Sequence, residues 1–578
     1  MPRALNRRLS PLALLLGVAL ALPPAPASAQ ALAPGIAPGL AGAYLSARQA
    51  RDHNDFQAVT EYLRRLIAAA PGDLGLREDM IVSAFSAGDV NDAVANANEM
   101  VALDPQSRAA ALVLMAQAFQ QQDYAAALQS ADGVNVHVLT NGVARAFALL
   151  GQGSMADALA ALDQVGQDEG MRDFALYCRA LALALVGDAE GALALIEDPN
   201  SAVADSLNRR GFIVYAQLLG QAERFDQALA LLAQIFPGST DPVVLRMIDA
   251  YSRQQALPFD VITSPADAMA EVFAVMANAM RAAQNTHDAL VYGQAAAWVN
   301  PRLSDAVLLI AQVFQQLEQP DLALEAYARI PQDDVFTMAA QIGRAAVLED
   351  TGAVDEAQST LTTLAADNPQ SFAALLVLGD FLRRNGQNAA AVDAYSDGIA
   401  AMTAAGVEPG WTTFFSRAVA FERTGQWPQA EADFRAALAI DPDQPTVLNY
   451  LGYSLVERGE NLDEALPMIE RAVAGDPDSG AIVDSLAWAL FRLGRYDEAV
   501  APMERALQLL PADAILNDHL GDVYWAVGRQ REARFHWHRA LSFGENPDLD
   551  ADRVRRKLQD GLDAVRAAEG LAPLHPDQ

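Results

Sequence analysis

The 578-residue sequence contains one cysteine, Cys178. A single thiol excludes an intramolecular disulfide and every metal site built from a cysteine cluster. Aromatic residues are only 7% of the chain, and 40 bases face 73 acids, for a formal charge of −33. Phosphate backbones need a basic face, so nucleic acid is excluded as the main partner. Also missing are a nucleophile elbow, a Walker loop, a dinucleotide glycine pattern and a His-Glu-x-x-His pair. No cofactor, metal or catalytic residue is implied, and the expected class is non-enzymatic. His536 and His538 stand two residues apart and point to different sides of a helix. His519 reads as polar packing between helices, and Cys178 as a small buried thiol.

What is present is apolar mass, 52% of the chain, visibly alanine and leucine. That composition suits closely packed helices. Residues 1–29 have the layout of a cleaved export signal: Arg3, Arg7 and Arg8, the apolar run Leu12 to Leu22, then Ala27-Ser28-Ala29. No cysteine stands near the cleavage point, so a lipidated N-terminus is not expected. No later apolar run approaches a membrane span. The expected location is exported and periplasmic, of Gram-negative type.

A small residue recurs along the chain at Ala58, Ala93, Ala127, Ala158, Ala192, Ala228, Ala289, Ala323, Ala357, Ala391, Ala430, Ala465, Ala499 and Ala533. Most steps are 34 or 35 residues; the large exception is 61. In the C-terminal half each period repeats a large-small pair (Leu451-Gly452, Leu486-Ala487, Leu520-Gly521), then glycine (Gly459, Gly494, Gly528), then the alanine, then proline (Pro477, Pro511, Pro547). This resembles the tetratricopeptide repeat, two antiparallel helices A and B per unit. The resemblance implies an all-α fold, an α-solenoid of stacked pairs forming a right-handed superhelix. Fourteen units are expected. The expected divisions are an N-terminal subarray over 40–236, an incomplete repeat and linker over 237–266, and a C-terminal subarray over 267–545. A cap helix over 550–568 and a loose tail over 569–578 follow.

In this family the second, fifth, ninth, twelfth and thirteenth positions of a repeat face the concave groove. The resemblance places Asn449, Asp484 and Asp518 at one level of that groove, and Tyr453, Trp488 and Asp522 a turn further on, with Trp525 beyond. Carboxylates and amides there suit a peptide with Lys, Arg or amide donors, and Trp and Tyr offer rigid contact area. The same residues also fit a second role, in which Asp484 and Asp518 brace the next helix A and the tryptophans pack between repeats. Arg529, Arg531, Arg534, Arg553, Arg555 and Arg556 gather at the C-terminal end. They read either as a solvated face or as a docking patch for an acidic partner or headgroup layer.

The runs Leu448-Asn449-Tyr450-Leu451-Gly452-Tyr453, Asp484-Ser485-Leu486 and Asn517-Asp518-His519-Leu520-Gly521-Asp522 are more specific than the general repeat. They resemble exported proteobacterial tetratricopeptide proteins, some of which are lipoprotein adaptors that bring a carboxy-terminal-processing protease to cell-wall hydrolases. The function this implies is a scaffold or adaptor that binds segments of envelope proteins in its groove and recruits a protease or cell-wall enzyme. The alternative is a secretion or assembly component that self-associates through its ends.

Overall fold

The structure, a computed structural model, describes residues 40–574 apart from 169, 238, 240, 545, 547 and 573. The expected export segment and Pro547 lie outside the described residues. Among those described there are 32 α-helices and no strand. They form two compact units, one ending at Leu364 and one beginning at Ala365.

The first unit contains the pairs α1–α2 (Ala41–Asp52, Phe56–Ala69), α3–α4 (Leu74–Ala87, Val90–Leu103) and α5–α6 (Arg108–Gln120, Tyr124–Gly133). Next come α7–α8 (Val138–Gly151, Met155–Val165) and α9–α10 (Arg172–Leu185, Ala189–Ile196). A short α11 (Val203–Ser206), the pair α12–α13 (Arg209–Gln221, Phe225–Ile235) and a lone α14 (Pro242–Ser252) follow. Then come α15–α16 (Pro265–Ala282, Thr286–Val299), α17–α18 (Ser304–Gln316, Pro320–Ala328) and α19–α20 (Thr337–Asp350, Val354–Asp367). The second unit contains α21–α22 (Phe372–Arg384, Asn388–Ala404), α23–α24 (Trp411–Arg423, Trp427–Ile440) and α25–α26 (Pro445–Arg458, Leu462–Gly475). It ends with α27–α28 (Gly480–Arg492, Tyr496–Leu509), α29–α30 (Ala514–Ala526, Gln530–Ser542), α31 (Ala551–Asp560) and α32 (Leu562–Ala568).

The period has a simple cause. Helix B often begins at an acidic or amide cap: Asp89, Asp123, Asp188 and Asn285 each accept from the amide three residues on. Four residues after the cap the chain meets helix A, and only a small side chain fits. Every alanine in the series from Ala93 to Ala533 has no solvent exposure. Ala58 does not belong to it. Helix α2 is capped by Asp55, so the equivalent slot is Val59, which is buried, while Ala58 is half-exposed. The turn from A to B needs one left-handed residue. Glycine supplies it at Gly494 and Gly528 (φ 76° and 82°), whereas Gln122, Glu223, Gln284 and Glu318 adopt it at 56° to 61°.

The main difference from the expected organisation lies in the first unit. After α14 the chain runs without helix to Ser264, tied by Gln217 Nε2 donating to Asp260 Oδ1 (2.6 Å) and Arg210 Nη2 donating to the Val261 carbonyl (3.1 Å). Helices α15 and α16 then fold back onto the earlier A helices α3, α5, α7 and α9 instead of opening a separate subarray. Gln294 donates to the Ser86 carbonyl at 3.0 Å, Trp298 meets Phe85 edge to face at 5.9 Å, and Phe56 meets Phe314 at 6.1 Å. The physical reason is the sequence of α15 and α16. Both bury side chains around most of their circumference, and a helix apolar all round must be covered on more than one side. The division into units therefore falls within α20, not at 237–266.

The C-terminal end also differs in detail. The expected single cap helix is broken at Gly561 (φ +85°), where a side chain would lie 2.7 Å from the Trp525 ring. The start of the tail is held: Arg566 donates twice to the Ala572 carbonyl, and Leu574 is buried with Trp525 and Trp537.

Candidate functional site

The face built by the A helices of the second unit carries a recurring link. A carboxylate on one A helix meets a donor on the next. Glu422 of α23 accepts from Ser454 Oγ of α25 at 2.7 Å. Glu457 of α25 accepts from both Trp488 Nε1 and Arg492 Nη1 of α27, each at 2.8 Å. Asp484 of α27 meets His519 Nδ1 of α29 at 3.0 Å. Asp518 and Asp522, one turn apart on α29, share Lys557 Nζ of α31 at 2.8–2.9 Å. In this series α31 stands where another helix A would stand, and Lys557 supplies the donor.

Several residues expected in an open groove are thus engaged by the chain itself. Lys557 has 0% exposure. Asp522 also accepts from Trp537 Nε1 at 2.9 Å, and Arg553 stands 3.6 Å from it. Burial and the neighbouring Asp522 push the Asp518 carboxyl up, while Lys557 pulls it down. Trp525 donates to Asp563 of α32 at 2.7 Å and lies 5.3 Å from Trp537. Asp518, Asp522 and Trp525 are therefore covered by α31 and α32, not presented to a ligand. Asp484 and Asn449 are buried as well.

One level back, side chains remain reachable. Trp488 is half-buried, stacked between His519 (4.0 Å) and Phe491 (5.0 Å). Glu457 and Arg492 keep 38% and 39% of their side-chain surface in solvent. Tyr453 is half-buried beside them, its phenol pushed up by burial and by the Glu457 and Asp484 carboxylates. Burial pulls the His519 imidazole down. The Asp484 carboxylate, its hydrogen bond, and Asp518 and Asp522 outweigh that and carry it above the ordinary histidine value.

The expected basic patch is largely paired. Arg529 bonds Glu504 and Glu532, Arg553 bonds Glu569, Arg555 bonds Asp552, and Arg534 donates to the Leu558 carbonyl. Arg531 and Arg556 form no ion pair among the described residues. His536 meets Asn517 Oδ1 at 3.0 Å, and Cys178 is fully buried with its thiol pushed up by burial.

Sequence reasoning missed the charged cleft of the first unit, a cavity of about 810 Å³ at the N-terminal ends of α12, α14, α15 and α17. Arg209 pairs with Asp241 and Arg246 with Asp260 on its wall. Beneath it Arg210 holds the buried Glu271 of α15, whose carboxyl is pushed up to about 7 by burial against the pull of Arg210. The lone charge of Glu271 in an otherwise apolar stretch was the available signal. Its partner, 61 residues earlier, could not be read from spacing.

Residues 342–406, 415–461 and 450–514 match the tetratricopeptide repeat family. A TPR repeat-containing protein of Pseudomonas aeruginosa is 31% identical over 208 residues, 36% of this chain and 34% of that protein. Bacteriophage adsorption protein A of Escherichia coli is 31% identical over 87 residues, 15% of this chain and 9% of that one. The chain thus spans about a third, or less, of these relatives. Among solved structures, the Cut9–Hcn1 complex matches with TM-score 0.37 and 13% identity, over 91% of this chain and 97% of that one. YrrB, described as a TPR protein with an unusual peptide-binding site, matches with TM-score 0.27 and 18% identity, over 34% and 98%. The matched segments show tetratricopeptide repeats within 342–514, and the helix pairs and the buried small-residue register extend the same pattern through the rest of the described residues.

Proposed function

We propose that this chain is an exported, non-catalytic scaffold that holds a segment of another protein against the A-helix face of its second unit. Tetratricopeptide repeats are protein-interaction modules, and stacking leaves a continuous face instead of a closed reaction chamber. The observation that supports this reading most is the set Tyr453, Glu457, Trp488 and Arg492. Two rigid aromatics and a half-exposed ion pair converge on one level of the face, and Trp, Tyr and Arg are the side chains that dominate binding hot spots. A partner strand with amide and basic donors would compete for Glu457 and lie across the two rings. The export layout of residues 1–29 supports a partner in the cell envelope. The likeness to envelope adaptors makes a recruited protease or cell-wall enzyme the finer form of the same proposal.

The test is a crosslinked capture from envelope extract with the wild type and with a Tyr453→Ala, Glu457→Ala, Arg492→Ala variant. Truncations to alanine suit this test because these groups sit at the surface of the packing, whereas replacing Asp484 or Asp518 would break His519 or Lys557 contacts. Proteins captured by the wild type and lost from the folded variant support the proposal. Identical catches refute this face as the binding surface.

A further inference from the structure

We propose that the slot formed by Asp518 and Asp522 is a docking site for a lysine-bearing amphipathic helix of a partner protein, and that α31 is its resident, displaceable occupant. The proposal rests on the scaffold reading above and names the partner chemistry of one end of that face. Three observations carry it.

First, the occupant is held as a ligand would be. The Lys557 ammonium enters between two carboxylates of one helix face, with all three hydrogen bonds at 2.8–2.9 Å and its charge over the Trp537 ring at 5.8 Å. Val554, one turn before, and Leu562 and Val565, beyond the break, bury against Trp525 and Trp537, with Leu558 packed beside them. The pattern a partner helix must present is therefore an apolar residue at −3 and +1 of a lysine.

Second, the hold is electrostatic more than apolar. Of the ten residues of α31, the exposed or half-exposed majority are charged or polar, and Val554 is its one fully buried aliphatic side chain. Removing one partner of a buried ion pair is costly, whereas exchanging one ammonium for another keeps the pair intact, so α31 gives way to a second lysine-bearing helix and not to an empty slot. The helix is short and is severed from α32 at Gly561, so it can leave without unwinding a longer element.

Third, departure of α31 dictates what replaces it. Asp518, Asp522 and Asp563 would be left around an apolar floor of Trp525 and Trp537, and two carboxylates one turn apart on a buried face need a cation. An apolar helix without an ammonium would leave them unpaired. An acidic helix would add a further like charge.

The experiment uses the full chain and, as probe, a synthetic peptide of residues 549–572 of this sequence. Binding is measured to the wild type, to Lys557→Met, and to Lys557→Met combined with Asp518→Asn and Asp522→Asn. The tethered α31 competes at an effective concentration in the millimolar range. The peptide is therefore expected to bind Lys557→Met at least about tenfold more tightly than the wild type. A peptide carrying Lys557→Met, or the chain with both asparagines, is expected to show no saturable binding. Absence of binding to the Lys557→Met chain, or equal binding of the lysine-free peptide, overturns the proposal, and so does a wild-type dimer that exchanges α31 between copies. If Lys557→Met fails to fold, hydrogen exchange on the wild type decides. Amides of α31 should exchange at least about tenfold faster than those of α29, and equal protection overturns displaceability. None of these failures touches the capture through Tyr453, Glu457 and Arg492, so the two readings fall separately.

Discussion

Replacing Gly452 with valine is the sharpest probe of why the period exists. Gly452 lies in α25 facing α26. A Cβ at that position would stand 2.7 Å from Ile469 Cγ1 and 2.9 Å from the Ala465 carbonyl oxygen. Ile469 has no solvent exposure to retreat into, and the Ala465 oxygen is helix backbone, so α25 and α26 must separate by several tenths of an ångström even for alanine. A gap of 0.5–1 Å forfeits roughly a quarter to a half of each contact along the seam. Overpacking costs about 1–3 kcal/mol, and the helix-propensity gain on replacing glycine returns at most about 1 kcal/mol. Gly452→Ala should therefore destabilise this repeat by about 1 kcal/mol. Gly452→Val, with two further carbons directed into the same seam, should cost about 3 kcal/mol or more. The control is Gly42→Ala in α1, where a Cβ meets nothing within 4 Å and the change should be neutral or stabilising. Because a repeat array need not melt as one unit, the assay is native-state hydrogen exchange of α25 and α26 amides alongside urea melts. An unchanged opening free energy in Gly452→Val would refute the close-approach argument.

Three further outcomes follow from named groups. His519 has a folded pKa above its unfolded value, so its contribution is full below about pH 6.5 and is lost as pH rises through the folded value. The stability difference between wild type and His519→Gln should thus be largest near pH 6 and shrink above it, measured by urea melts at a series of pH values. Glu271, pushed up to about 7, should make the wild type lose stability relative to Glu271→Gln as pH rises from about 4.5 towards 7, with no further change above, read the same way in the first unit. Cys178 should resist a thiol reagent in the native protein and react on the timescale of unfolding, and rapid native labelling would contradict its burial in α9.

The sequence carried the local rules well and the long-range ones poorly. Alanine register, capping residues and turn glycines are short-range, so thirteen of the fourteen expected helix-B slots coincide with unexposed alanines, and the lone α14 falls inside the incomplete repeat expected over 237–266. Ala58 failed because two small-to-medium residues, Ala58 and Val59, are adjacent and only the cap at Asp55 sets which one faces helix A. The folding back of α15 and α16 failed for a different reason. Their helical period fits another repeat equally well, and only the need to cover both sides of an apolar helix distinguishes the two arrangements. At the candidate site, Asp484, Asp518, Trp488 and Trp525 were legible as one face of successive A helices. What covers Asp518 was not, because Lys557 lies 39 residues away and beyond the last repeat, where the period no longer dictates position.

The central claim is that partners lie on the A-helix face of the second unit. Its most direct measurement places a photo-crosslinking residue at Tyr453 or Arg492, and as a control at Arg471, which instead bonds the turn at Pro442 and Asp443. Illumination in the intact envelope should yield the same defined partner adducts from 453 and 492 and none from 471. Adducts from 471 alone, or an undifferentiated set from all three, would contradict the account.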